Sequence, residues 1–299
     1  MRLLQRLSDV QYRFTTVTPA THAAVLSRPT AARARTLRDV LGWNMPFDPS
    51  TLPDGIFELL RAAEGCSRLS DNCWRATLRV ASVGHLLFLH GGFPTVAQDT
   101  VFFGPDSYRF ARAIQALAPS AKRAVDVGCG SGVGGIVLGH FGSLEEPVVL
   151  ADINDAALGL AVVNAGHAGI QAECVKSDVL DGVRGPVDLV IANPPYLNDP
   201  SERAYRHGGG RHGLALTLRI VREAMVRLEP GGTLLLYTGV AIVDGVDPLL
   251  TAVQGELEGA GSHFSYEELD PDVFGDELRQ PAYADVDRIA VVLLQATRA

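Results

Sequence analysis

An acidic residue followed by closely spaced glycines, Asp126-Val127-Gly128-Cys129-Gly130-Ser131-Gly132-Val133-Gly134-Gly135, ends one short apolar stretch of this chain. Glycines set directly after a strand let the backbone turn tightly and bring its N–H groups up to a ligand. Taken alone the loop is ambiguous, because Gly130 to Gly135 also fits the dinucleotide fingerprint G-x-G-x-x-G. Three further strand ends narrow it. The second apolar stretch ends in Asp152-Ile153, where a carboxylate can accept from both hydroxyls of a ribose. The third ends in Ser177-Asp178-Val179, where a carboxylate can accept from an exocyclic adenine amine. The fourth ends in Asn193-Pro194-Pro195-Tyr196. A single Asp at a strand end is more often a helix cap or turn former. All four features fall at carboxyl ends of strands, the edge where doubly wound sheets bind ligands.

The Asn-Pro-Pro-Tyr segment is the most specific of these. Two consecutive prolines fix φ near −65° and remove two backbone donors, and the first of them pushes Asn193 toward an extended conformation. The outcome is a stiff loop presenting two acceptors, the Asn193 side-chain oxygen and the Pro194 carbonyl. A planar –NH2 group could donate both hydrogens to them. Its lone pair is then drawn out of conjugation and the nitrogen is aimed at an electrophile. Tyr196 adds an aromatic face on which a flat substrate can stack.

The elements that must carry these residues follow from hydrophobic periodicity. Apolar stretches predict strands at 124–127, 148–151, 172–175, 187–192, 233–237 and 288–295, with helical segments such as 156–165 and 214–228 between them. Such alternation implies a mostly parallel sheet covered on both faces. The first 90 residues read differently. Helical spacing appears around 36–41 and 56–63, then two strand-like stretches, 74–80 and 85–90, flank a turn at Ser82-Val83-Gly84. Helices followed by a hairpin is the order of a winged-helix module. The expected organisation is therefore a helical, winged-helix-like domain over 1–90 and an α/β domain over 91–299.

Charge is uneven along the chain. Residues 1–123 carry 15 Lys and Arg against 9 Asp and Glu, whereas residues 124–299 carry 11 against 25. The N-terminal region either offers a basic face to an acidic partner or is simply solvated. The acidic balance of residues 124–299 argues against phosphate binding there. No apolar run approaches the roughly 20 residues of a membrane helix, and residues 1–14 show no signal-peptide core, so a cytoplasmic protein without membrane partners is expected. Four cysteines without a CxxC pair are expected to be reduced, with no metal site.

From about Asp99 to Gln295 the chain resembles the class I S-adenosylmethionine-dependent methyltransferases with a "methyltransferase small domain", and in particular the protein-glutamine N5 methyltransferases. The resemblance rests on Asp126, Gly128, Gly130, Asp152, Asp178, Asn193-Pro194-Pro195-Tyr196, the helix residues Ala157-Leu158 through Asn164-Ala165, and Leu228-Glu229-Pro230-Gly231-Gly232. It implies a seven-stranded sheet with the last strand antiparallel and S-adenosylmethionine as cofactor. Asp126, Gly128 and Gly130 would hold its methionine end, Asp152 and Ile153 the ribose, and Asp178 and Val179 the adenine. Asn193 would lie between cofactor and acceptor. The segment Val101 to Tyr108 would fold over the cofactor, with Phe103 against the methionine moiety; read from its residues alone, it is a helix start capped by Asp106 after Pro105. The acceptor implied is a protein glutamine, in a release factor or ribosomal protein. Adenine-N6 methyltransferases of RNA or DNA share the tetrapeptide and form the alternative; a nicotinamide-dependent oxidoreductase, resting on the glycine loop alone, is the alternative of another class. Two departures concern the acceptor side. His207-Gly208-Gly209-Gly210-Arg211-His212-Gly213-Leu214 replaces an acidic-glycine-leucine stretch, and Tyr237-Thr238-Gly239 stands where a glutamate is usual.

Overall fold

The computed structural model describes residues 1–95, 97–203 and 205–299. Four short helices, α1 (Arg2–Asp9), α2 (Pro19–Leu26), α3 (Leu37–Leu41) and α4 (Ile56–Ala62), lead into two antiparallel hairpins. The first pairs β1 (Cys66–Ser70) with β2 (Cys73–Ala76), and the second pairs β3 (Leu78–Val83) with β4 (Leu86–Gly91). Local chemistry sets the helix starts. Thr18 caps α2 with Pro19 at its first position. At α3, Thr36 and Asp39 cap each other's backbone N–H groups.

The helix α5 (Pro105–Leu117) precedes the sheet domain. Its strands are β5 (Ala124–Val127), β6 (Val148–Asp152), β7 (Ala172–Lys176), β8 (Val187–Ala192), β9 (Leu228–Ile242), β10 (His263–Asp270) and β11 (Arg288–Thr297). They lie side by side in the order β10-β11-β9-β8-β5-β6-β7. The pairs β7–β6–β5–β8–β9 are parallel, and β11 runs antiparallel to both its neighbours. The expected seven-stranded sheet with an antiparallel last strand is what the chain adopts.

Side chains alternate between the faces as strand geometry requires. Leu189 and Ile191 of β8 face a core shared with α5, α6 (Val133–Phe141) and α7 (Asp155–Ala168). Val190 and Ala192 face the opposite core, under α8 (Ala215–Arg227) and α9 (Pro248–Gly259). A strand buried on both faces reads as the near-continuous apolar run that marked β8 in the sequence.

The β3–β4 hairpin is shared between two cores. Ala81, Val83, Leu86 and Phe88 pack into the sheet domain, while Val80, Leu87 and Leu89 close a separate N-terminal core with α1, α3 and α4. The Asn164 side chain of α7 fastens this hairpin from the sheet side. Its oxygen accepts from Leu89 N–H at 2.8 Å and its nitrogen donates to Leu89 O at 3.0 Å. A break at residue 90 therefore cuts through a packed unit, and the two hairpins stand as separate pairs of strands.

Candidate active site

The carboxyl ends of β5, β6, β7 and β8 open onto one cavity of about 210 Å³. On its floor the glycine loop is shaped by backbone conformation. Gly128 and Gly130 hold φ of 66° and 54°, a region L-residues rarely adopt, and a Cβ on either would meet nothing within 4 Å. The loop thus exposes bare backbone to the cavity. Gly134 answers a different need: a Cβ there would come 2.9 Å from Asp126 Oδ2, so glycine lets α6 settle onto that carboxylate.

Asp126 is buried and its Oδ2 accepts from Gly135 N–H at 2.7 Å. Burial pushes its carboxyl up to about 7, with the Gly135 hydrogen bond opposing. Asp152 ties the glycine loop to the turn after β6. Oδ2 accepts from Gly130 N–H at 2.8 Å and Oδ1 from Asn154 N–H at 2.8 Å. Burial raises this carboxyl too, against its three backbone hydrogen bonds. Asn164 reaches the same loop, donating to Ser131 O at 2.9 Å, so one amide joins the N-terminal hairpin to the glycine turn. Ile153 and Val179 line the cavity beside their aspartates.

Asn193, Pro194 and Tyr196 line the cavity at the end of β8. Among the described residues no hydrogen bond engages the Asn193 side chain, which leaves its amide available to a ligand. Tyr196 is more constrained than a simple stacking face. It is buried, its hydroxyl donates to Asp106 Oδ2 at 2.7 Å, and its ring meets Phe274 edge-on at 5.9 Å.

Phe103 and Asp106 take positions unlike those expected of them. Phe103 lies in the core against Phe88, His90 and Tyr108, and its neighbour Phe102 lines the cavity instead, stacked on Tyr205 at 5.8 Å. Asp178 is half exposed on the cavity wall, with one oxygen paired to Arg219 at 2.8 Å. Asp106 does not cap α5; Ser107 Oγ accepts from Gly104 N–H at that helix start. Asp106 turns inward instead, accepting from Tyr196 and from Tyr237. The loop histidines are spoken for: His207 Nδ1 accepts from Asp199 N–H at 3.2 Å, and His212 Nε2 sits 2.9 Å from Asp285. Neither lines the cavity.

Sequence reasoning missed Phe102, Tyr205 and Phe274 as cavity walls. In the pair Phe102-Phe103 strand-like alternation says that one side chain faces inward, not which. Tyr205 and Phe274 stand in loops without periodicity, where only a contact could find them.

Residues 109–241 match the family model described as "Methyltransferase small domain". A release factor glutamine methyltransferase of Deinococcus radiodurans is 35% identical over 128 residues, covering 38% of this chain and 44% of that protein. A ribosomal RNA small subunit methyltransferase C of Chromohalobacter salexigens is 34% identical over 118 residues, covering 40% of this chain and 32% of that one. The chain thus spans less than half the length of these curated relatives. Among solved structures, Trm5 of Methanocaldococcus jannaschii in complex with adenosine superposes with a TM-score of 0.52 at 15% identity, covering 75% of this chain and 57% of that one. That likeness is one of fold, the class I methyltransferase sheet. Residues 109–241 of this chain thus match the methyltransferase small domain model, and the chain as a whole folds on the seven-stranded sheet that class I methyltransferases share.

Proposed function

We propose that the chain is an S-adenosylmethionine-dependent methyltransferase acting on a planar –NH2 nitrogen, namely a glutamine side chain of a translation factor or ribosomal protein. One observation carries this reading: the uncommitted Asn193 amide, beside the Pro194 carbonyl, faces the same cavity as the glycine loop and three strand-end carboxylates.

The residues present suit the cofactor. Gly128 and Gly130 leave open space over bare backbone. Asp126 faces the side where a methionine ammonium would lie, Asp152 keeps lone pairs for a ribose diol, and the Asp178 carboxylate suits an adenine amine. Ile153 and Val179 supply apolar contact there, and Phe102 takes the role first given to Phe103. Bound in this cavity, S-adenosylmethionine supplies a methyl group already activated by its sulfonium.

The remaining work falls to the chain. Asn193 Oδ1 and the Pro194 carbonyl accept the two hydrogens of the acceptor nitrogen and hold its lone pair toward the methyl carbon. These acceptors grow stronger as positive charge builds on that nitrogen, so they stabilise the transition state more than the bound substrate. Tyr196, Phe274 and the Phe102–Tyr205 pair wall the acceptor side, excluding water and confining a flat group. Amide methylation needs no strong base to begin, in keeping with histidines that lie off the cavity.

The resemblance to an RNA methyltransferase favours a second reading, a base amine as acceptor, which the same aromatic walls would admit. Tritiated methyl transfer to an extract of cells lacking the protein separates the two. The glutamine reading expects label that protease removes and nuclease leaves, recovered after digestion as N-methylated glutamine. Label released by nuclease instead would transfer the assignment to RNA or DNA.

A further inference from the structure

Asp106 holds a carboxylate inside the protein, 5% exposed, where a surface aspartate of a helix start would face solvent. Three donors from three parts of the chain converge on it. Tyr196 of the acceptor loop donates to Oδ2 at 2.7 Å, Tyr237 of β9 donates to Oδ1 at 2.8 Å, and Arg109 one turn along α5 donates to Oδ1 at 3.2 Å. Arg109 also reaches Asp270 at 2.8 Å, the last residue of β10. Four residues on, Phe274 forms the cavity wall edge-on to Tyr196. The segment 271–276 is in this way tied to the acceptor loop through two ion pairs and one hydrogen bond.

We propose that Asp106 is the positioning residue of the acceptor pocket, fixing the Tyr196 ring by its hydroxyl and, through Arg109 and Asp270, the Phe274 wall opposite. The proposal rests on the methyltransferase reading for its effect on rate, but not for its geometry. Tyr196 stands three residues from Asn193 on the same stiff loop, so a ring held in one rotamer also holds the acceptors Asn193 and Pro194 in place. Beside Tyr196 lies Gly239, where even a methyl group would strike the ring, so the pocket is packed against the ring on that side as well. Burial, with the Asp106 charge alongside, pushes both tyrosine hydroxyls above their ordinary range, so both remain protonated donors through the neutral pH range. Tyr237 completes the carboxylate's hydrogen bonds without lining the cavity.

That asymmetry supplies the test. Tyr196→Phe and Tyr237→Phe each remove one hydroxyl from the same buried carboxylate, yet only Tyr196 is on the acceptor loop. Full-length parent, the two Phe variants, Asp106→Asn and the double variant Asp106→Asn/Tyr196→Phe are compared by calorimetric S-adenosylmethionine affinity. Their kcat and KM are measured for tritium transfer to the protein fraction of the extract described above. Tyr196→Phe and Asp106→Asn are expected to lower kcat about tenfold or more, the loss that follows from one charge-assisted hydrogen bond. Cofactor affinity should stay within about threefold, and Tyr237→Phe should keep kcat within the same margin. The double variant should be no slower than the worse single variant, because both act through one ring. The proposal is overturned by parental kcat in Tyr196→Phe, by an equal fall in Tyr237→Phe, or by effects that multiply in the double variant. If Asp106→Asn does not fold, the contrast between the two Phe variants decides. If the parent itself transfers no label, protein carrying 3-fluorotyrosine still decides: the Tyr196 fluorine resonance, assigned by its loss in Tyr196→Phe, should move in Asp106→Asn. A resonance unchanged there overturns the positioning role whatever the reaction.

Discussion

Removing the Asp152 carboxylate should weaken both the glycine loop and its ligand, and the two losses can be measured separately. In the free protein its oxygens accept from Gly130 and Asn154 N–H, each at 2.8 Å. Asp152→Ala leaves both donors short of a partner. At about 1–3 kcal/mol for each unsatisfied donor, and with water reaching the half-buried loop, a stability loss of about 2–4 kcal/mol follows. Ligand affinity falls for a different reason. A charge-assisted bond from the Asp152 carboxylate to a ribose hydroxyl would be worth about 1.5–3 kcal/mol, or roughly 10- to 150-fold in Kd. Asp152→Asn keeps one acceptor oxygen but sets an NH2 against a backbone N–H, so its affinity should fall between those of parent and alanine variant. Thermal unfolding reports the first loss and calorimetry with S-adenosylhomocysteine the second. A lower Tm with unchanged affinity would refute the ribose contact. Unchanged Tm and affinity together would refute the whole assignment of Asp152.

Two further outcomes follow from buried polar groups. Asp126 titrates near 7 in the free protein, above the ordinary carboxylate range, so the folded state binds the extra proton between roughly pH 4 and 7 and its stabilising effect is lost as pH rises through that window. A ligand ammonium beside the carboxylate favours the charged form. S-adenosylhomocysteine binding near pH 6 should therefore release up to about one proton, read from calorimetry in two buffers of different ionisation enthalpy. No difference between buffers would remove the ammonium contact. Asn164→Ala strips three buried hydrogen bonds, to Leu89 N–H, Leu89 O and Ser131 O, and should cost about 2–4 kcal/mol in denaturant unfolding. A chain beginning at Gly92 lacks Phe88 and its partners and should not fold to the parental Tm; parental stability would show that the hairpin belongs to the N-terminal part alone.

The sheet was legible from β5 to β8, through the buried strands β5, β6 and β8 and also the partly exposed edge strand β7. The expected β5 and β8 coincide with the observed ones, and β6 and β7 differ by one residue at the C-terminal end. Elsewhere, pairing overrode local pattern. The strand expected at 233–237 extends over Leu228–Ile242, because β11 pairs with it antiparallel up to Ile242. At its start Glu229 to Gly232 are absorbed by a register shift against β8, so turn-forming residues hid the strand. β10 escaped notice: as the edge strand it is largely exposed, and only Phe264 and Tyr266 pack against the core. Of the hairpin expected over 74–90, the start belongs to β2, which pairs back with β1, and the rest is the β3–β4 hairpin, turning at Gly84-His85 rather than Ser82 to Gly84.

The candidate site divides along the same line. Asp126, Asp152 and Asn193 could be found because each ends a strand, and strand ends are visible in sequence. The acceptor side could not. Asp106 has the sequence context of a helix cap, and its inward turn depends on Tyr196 and Tyr237, 90 and 131 residues away. Phe274 reaches the cavity from a segment with no periodicity, and Phe102 displaces Phe103 because β4 and Tyr108 claim the latter for the core.

N-methylation by this chain would depend most directly on Asn193. With tritiated S-adenosylmethionine and the protein fraction of an extract from cells lacking the enzyme, Asn193→Ala should bind cofactor as the parent does. Its kcat should fall about 100- to 1000-fold, the scale lost with one transition-state hydrogen-bonding group. Asn193→Asp, which keeps an acceptor oxygen in nearly the same place, should retain more activity than the alanine variant. An alanine variant that transfers label at the parental rate would contradict the claim that Asn193 orients the acceptor nitrogen, and with it the assignment of N-methylation.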